Sequence, residues 1–159
     1  MNKNKDKEIQ MNHVQLETAV QREVVLAVLT HLQKGEISEA TAYFAEGFHF
    51  NDRGIGLEFT NRERLAEFLQ KTREFYPDSS LRTDRVLVNG DYVITQWVRD
   101  TVLTEPFFGA VPRNVPISLH GASIVHIENG KIDDWSDYYD GLTSRRTALA
   151  AHFEEWVEL

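Results

Sequence analysis

Asn129-Gly130, set between two runs rich in β-branched and aromatic residues, constrains the folding of this chain more than any other dipeptide in it. Asn and Gly tolerate the two positive φ angles of a type I′ turn, so residues 120–140, HGASIVHIENGKIDDWSDYYD, read as a β-hairpin. With Asn129 and Gly130 as the loop, Glu128 faces Lys131. Regular pairing then sets His120 opposite Tyr139, Ala122 opposite Asp137, Ile124 opposite Trp135 and His126 opposite Asp133, all on one face of the sheet. Asp137 becomes a diagonal neighbour of His120, roughly 7 to 8 Å away between Cα atoms. A carboxylate, an imidazole and a phenol on one face are the equipment of general acid/base chemistry.

The same signal recurs upstream. Asn89-Gly90 separates residues 80–88 from 91–103, a second expected hairpin, and 115–128 and 131–140 complete a meander of strands. Helices are expected before it. Leu16, Val20, Val24, Val28 and Leu32, with Val25 and Leu29 beside them, recur at helical spacing from Asn12 to the stop at Gly35. A short helix fits Ile37 to Glu46, and Phe48 to Asp52 alternates like a strand, with His49 and Asn51 on one face, either a solvated edge or a pocket rim. Thr60-Asn61-Arg62-Glu63 is a capping box that starts a third helix, which cannot continue past Tyr76 because Pro77 follows. Thr143 or Ser144 caps a last helix over 143–158 with Leu149, Phe153 and Trp156 in one stripe. Residues 1–11 are polar and read as a disordered tail, leaving 12–159 as one domain.

Helices followed by an antiparallel meander predict an α+β architecture, a curved antiparallel sheet packed against the N-terminal helices and enclosing a cone-shaped pocket. The connection over 105–116 is unusually apolar, and Phe107 and Phe108 are expected to form either a plug over the core or a wall or lid of that pocket, with Trp97 and Tyr139 as core or interface aromatics or as further lining. Leu119, Val125 and Ile127 are placed on the outer sheet face, where they predict a homodimer.

The 25 acidic side chains against 17 basic ones weigh against a nucleic-acid or anionic-membrane partner, and favour a small hydrophobic molecule. There is no cysteine, and the six histidines lack metal-binding spacing, so no metal or other cofactor is expected. The first ten residues carry no apolar stretch, which predicts a cytoplasmic protein.

Ala42-Tyr43-Phe44-Ala45-Glu46, the run Pro116 to Ser123, Asn129-Gly130-Lys131-Ile132 and Trp135-Ser136-Asp137-Tyr138-Tyr139-Asp140 together resemble the nuclear transport factor 2-like superfamily. Within it the likeness is to the SnoaL-like polyketide cyclases and the limonene-epoxide hydrolase branch, and it covers roughly residues 14 to 141. The resemblance implies a cystatin-like α+β barrel. It also implies that Asp137 is an acid/base aspartate of the last strand and that His120 matches the histidine that such cyclases place before a glycine. In the hydrolase branch an Arg-x-Asp pair on the middle strand works with that aspartate, and a tyrosine and an asparagine position water. Asn51 matches the asparagine, His49 stands where the tyrosine would, and the middle strand carries Arg99 and Asp100 side by side. Adjacent residues point to opposite faces, so Arg99 and Asp100 compete for one inward position.

Three activities follow as expectations. The first is a cofactor-independent acid/base enzyme of the cyclase, isomerase or dehydratase type, acting on a small, largely apolar carbonyl compound, with Asp137 moving a proton and His120 holding the developing oxyanion. The second is epoxide hydrolysis with paired aspartates activating water. The third is binding of a hydrophobic ligand without catalysis.

Overall fold

The computed structural model describes residues 3–76, 78–103 and 114–143. Among these residues three helices, α1 (Lys3–Lys34), α2 (Ile37–Thr41) and α3 (Arg62–Phe75), are distributed among six strands, β1 (Phe44–Asp52), β2 (Leu57–Phe59), β3 (Ser80–Asn89), β4 (Tyr92–Leu103), β5 (Val115–Glu128) and β6 (Lys131–Tyr139).

Helix α1 starts at Lys3, so the segment expected to be a tail continues the helix; it is rich in Lys, Glu and Gln, which favour helix, and contains neither Gly nor Pro. The C-terminus of α1 is closed by Gly35 at φ +79°, with Glu36 N–H donating to His31 O at 2.9 Å and Gly35 N–H to Leu32 O at 3.1 Å. That pair of bonds is a Schellman motif. Val24, Val25, Val28 and Leu29 face the core, whereas Val20 is exposed. Helix α2 is shorter than the expected Ile37 to Glu46, because Phe44 is already paired with Ile132 as the start of β1. Helix α3 is capped one residue later than the Thr60 box implies: the Asn61 side chain accepts from Arg64 N–H at 2.9 Å. The expected helix over 143–158 lies outside the described residues beyond Thr143, as do Phe107 and Phe108.

The sheet order is β2-β1-β6-β5-β4-β3. Every neighbouring pair is antiparallel except β1 and β6, so the expected antiparallel sheet is mixed. Parallel partners need a long connection, and here all the intervening elements supply it. The sheet curves around α1 and α3 without closing, and Phe44, Phe48, Phe50, Leu65, Val93, Val125, Ile132 and Trp135 form the core between the layers.

Both hairpins form, with one change each. At the second, Asn129 (φ 51°) and Gly130 (φ 73°) make the expected turn, and Glu128 pairs with Lys131. At the first, Asn89 pairs with Tyr92, so the loop is Gly90-Asp91; only Gly90 has positive φ, the pattern of a type II′ turn. The consequential change lies inside the last hairpin. Ile127 pairs with Ile132, but His126 pairs with Asp134, leaving Asp133 as an extra residue in β6. This single-residue bulge swaps the faces of everything beyond it. Ser123, not Ala122, is opposite Asp137, and Gly121, not His120, is opposite Tyr139. Leu119, Val125 and Ile127, expected on the outer face, are therefore buried on the concave one.

Candidate active site

A cavity of about 330 Å³ lies between the concave face of the sheet and helices α1 and α3. Its helical wall is largely apolar, with Val28, Leu29, Leu32, Phe68, Leu69 and Phe75, and adds Lys71, Thr72 and Tyr76 from the α3 side. Its polar groups are concentrated on the sheet wall, where register places them in rows. Thr95 on β4, Ser123 on β5, Asp137 on β6 and Asp52 on β1 are successive partners across four strands. Trp97, Gly121 and Tyr139 form the next row, and Arg99 with Leu119 the one after. Of these, Asp52, Trp97, Arg99, Leu119, Ser123, Asp137 and Tyr139 line the cavity.

The Asp137 Oδ1 atom accepts from Ser123 Oγ at 2.6 Å and from Trp135 Nε1 at 2.7 Å. Ser123 Oγ in turn accepts from Trp97 Nε1 at 2.9 Å. Gly121 makes room for that indole: a Cβ there would stand 2.3 Å from the Trp97 ring. Burial pushes the Asp137 carboxyl up to about 6; the Ser123 and Trp135 donors oppose the rise, the Asp52 charge adds to it, and Arg99 opposes it.

Asp52 forms a second polar unit. Its Oδ2 accepts from Tyr139 OH at 3.0 Å, and its Oδ1 from Gly54 N–H at 3.1 Å and Ile55 N–H at 3.2 Å, an Asx-type turn that shapes the loop after β1. Burial raises the Asp52 pKa, while Tyr139, the two backbone donors and Arg99 hold it back. Tyr139 is pushed well above the usual phenol range by burial and then by the Asp52 charge, so it remains a donor. The Arg99 guanidinium stands 6.0 Å from the Tyr76 ring centroid, a cation–π contact at the cavity edge.

Four sequence-derived candidates thus meet in the cavity: Asp137, Arg99, Tyr139 and Trp97. Four do not. His120 and Asp100 are exposed on the opposite face of the sheet, linked through Ser118, whose Oγ donates to Asp100 Oδ1 at 2.6 Å and lies 3.4 Å from His120 Nε2. His120 is turned out by the Asp133 bulge, and Asp100 because Arg99 takes the inward phase of Val93, Thr95 and Trp97. On β1, His49 is exposed, and Asn51 is buried out of phase with Phe50 and Asp52, donating from Nδ2 to Ser136 Oγ at 3.3 Å. Asp52 and Ser123 are cavity residues that the sequence reading missed. The signal for Asp52 was its phase, shared with Phe48 and Phe50 across the strand.

A family model for SnoaL-like polyketide cyclases matches residues 22–147. The chain belongs to the SnoaL-like polyketide cyclase family. No curated protein matches the chain. Solved structures of similar fold include one assigned as a SnoaL-like polyketide cyclase from Jannaschia sp. CCS1, with TM-score 0.74 and 18% identity, covering 83% of this chain and 93% of that one. IdmH from Streptomyces antibioticus, assigned as a polyketide cyclase, gives TM-score 0.71 at 18% identity over 80% of this chain and 96% of its own. An LEH-like epoxide hydrolase of M. tuberculosis gives 0.66 at 17% identity over 90% and 99%. At this identity the likeness is one of fold, and it agrees with the SnoaL-like architecture described above. Among the described residues, no helix is long and apolar enough to cross a membrane.

Proposed function

We propose that this SnoaL-like protein is a cofactor-independent acid/base enzyme of the cyclase, isomerase or dehydratase type, acting on a small, largely apolar carbonyl compound held in the cavity. The observation that carries the reading is a carboxyl raised to about 6 on the polar wall of an apolar cavity that also holds a guanidinium. A carboxyl near 6 is ionised enough at neutral pH to take a proton and basic enough to do so usefully. Asp137 removes a proton from the carbon next to the carbonyl, negative charge develops on the carbonyl oxygen, and Arg99 stabilises that charge in a site shielded from water. The proton then returns from Asp137 to a different carbon in an isomerisation, to the alkoxide left when the enolate carbon has bonded to a second carbonyl carbon in a cyclisation, or to the hydroxyl that leaves as water when the C–O bond breaks in a dehydration. Tyr139, kept neutral, holds Asp52 in place by its hydrogen bond.

Incubation of wild-type protein with a panel of apolar ketones and β-ketoesters in heavy water tests the reading. Deuterium should enter the α position of at least one ligand with wild-type protein and not with Asp137→Asn. Equal exchange by the variant contradicts the role of Asp137.

A second reading, hydrolysis of an epoxide, is favoured by one further observation: two carboxyls raised by burial, Asp52 and Asp137, line the same cavity, and the Asp52 charge adds to the rise at Asp137. Two such carboxyls divide the work in this reading, one as a carboxylate activating water and the other, protonated, giving its proton to the epoxide oxygen. Conversion of limonene oxide to a diol carrying oxygen-18 from labelled water, with no deuterium exchange on ketones, would select it. Uptake of an apolar ligand with neither reaction would leave non-catalytic binding.

The proposal includes a homodimer through the outer sheet face. The residues that support it differ from those first expected: Leu87, Ile94, Ile124 and Tyr138 are exposed there, and Leu87, Ile94 and Ile124 are register partners across three strands.

A further inference from the structure

Asp137 is contacted unevenly. Both of its hydrogen bonds, from Ser123 Oγ at 2.6 Å and Trp135 Nε1 at 2.7 Å, converge on Oδ1, and among the described residues no bond reaches Oδ2. An indole N–H can only donate, so Trp135 always presents a proton to Oδ1, and Trp97 always presents one to Ser123 at 2.9 Å. With a lone pair of Ser123 taken by Trp97, the serine hydroxyl directs its one hydrogen to Oδ1. A proton on Oδ1 would displace that donation and weaken the bond from Trp135.

We infer that Ser123, held by Trp97, is a positioning residue that dedicates Oδ1 of Asp137 to hydrogen bonding and leaves Oδ2 as the proton-carrying atom. The inference rests on the acid/base reading for its use in turnover, but not for its existence. In use, it gives the reaction a direction. The carboxyl is pinned on β6 by its partner strand β5, so the proton leaves and returns through one oxygen fixed on the sheet side of the ligand. Of two hydrogens on a prochiral α carbon, one should exchange. Without the serine hydroxyl, Oδ1 keeps a single donor and the two oxygens become closer to equivalent as proton carriers.

Among the described residues, the other titratable or charged groups lining the cavity with this carboxyl are Asp52 from β1, Arg99 from β4, Tyr139 from β6, and Lys71 and Tyr76 from the α3 side. All of them remain in the variants that follow, so a difference between variants isolates the serine.

The test is a carbon-13 NMR titration of the Asp137 side-chain carboxyl in wild type, Ser123→Ala and Ser123→Thr, a measurement that needs no substrate. Loss of a donor to the charged form should raise the midpoint in Ser123→Ala by about one pH unit, and Ser123→Thr, which keeps a hydroxyl, should restore it. Trp97→Phe keeps a ring over Gly121 while releasing Ser123, and should move the midpoint in the same direction by less; it serves if Ser123→Ala does not fold. A midpoint that stays put in folded Ser123→Ala, or in Trp97→Phe where the alanine variant fails, overturns the inference, as does a shift that threonine fails to reverse. A shift that threonine reverses, in a protein that exchanges no ligand proton, upholds the positioning role and removes the acid/base reading alone.

Discussion

Replacing Asp137 with Asn should make the protein more stable at neutral pH while abolishing its chemistry. The carboxyl is raised from 3.8 to about 6, chiefly by burial. In the unfolded chain it titrates near its ordinary value, so between those two pH values the folded state holds a proton that the unfolded state has lost. Stability from this group is therefore complete below about 4 and is lost as pH rises through about 6. A shift of roughly two units corresponds to about 3 kcal/mol of cost to the folded state at pH 7 and above. Asn keeps an acceptor oxygen for Ser123 and Trp135 and carries no charge, so most of that cost should disappear; water entering the cavity will reduce the gain, to about 1 to 3 kcal/mol. For a chain of this size each kcal/mol moves the melting temperature by roughly 2 to 4 °C. Thermal melts of both proteins at a series of pH values give the answer as a difference, which cancels the other titrating groups. The advantage of Asp137→Asn should be absent at acidic pH, grow through the region around 6 and level off above it. A difference that is flat with pH, or a variant less stable at alkaline pH, would contradict a buried carboxyl at Asp137 whose ionisation costs the fold stability.

His120→Ala and Asp100→Ala should leave α-proton exchange unchanged, since both side chains stand on the far face of the sheet; a large loss with either would return them to the site. Gly121→Ala should drive a methyl group into the Trp97 ring and destabilise the protein by about 1 to 3 kcal/mol, measured by denaturant unfolding. The variants Ile94→Asp and Ile124→Asp should each shift a dimer towards monomer in analytical ultracentrifugation at micromolar concentration, whereas a monomeric wild type would remove the dimer proposal.

Local signals in the sequence located most elements. The two Gly-containing turns, the Asn61 cap and the Gly35 stop are chemistry confined to a few neighbouring residues, and each appears in the structure within a residue of its expected place. The family likeness was legible for the same reason, because its motifs sit on those turns and the last strand. What the sequence could not show was set by nonlocal pairing. Asp133 looks like any other strand carboxylate, yet as a bulge it turns His120 out and brings Ser123 to Asp137. The parallel pairing of β1 with β6 puts Asp52 beside Asp137, and nothing near either residue in sequence signals it. The phase of β4 was not legible, because Ile94 and Val98 are as apolar as Val93 and Trp97 and Val98 is itself buried; pairing with β5 is what turns Arg99 in and Asp100 out. On β1 the alternation of Phe48, Phe50 and Asp52 does mark the cavity face, with His49 out of phase and exposed.

The pH dependence of deuterium exchange into a bound ketone or β-ketoester tests the role of Asp137 most directly. The rate should rise with a midpoint near the value of about 6 to which burial lifts this carboxyl, should follow its NMR titration, and should be lost in Asp137→Asn. A rate that tracks a different midpoint, or that persists in the asparagine variant, would contradict it.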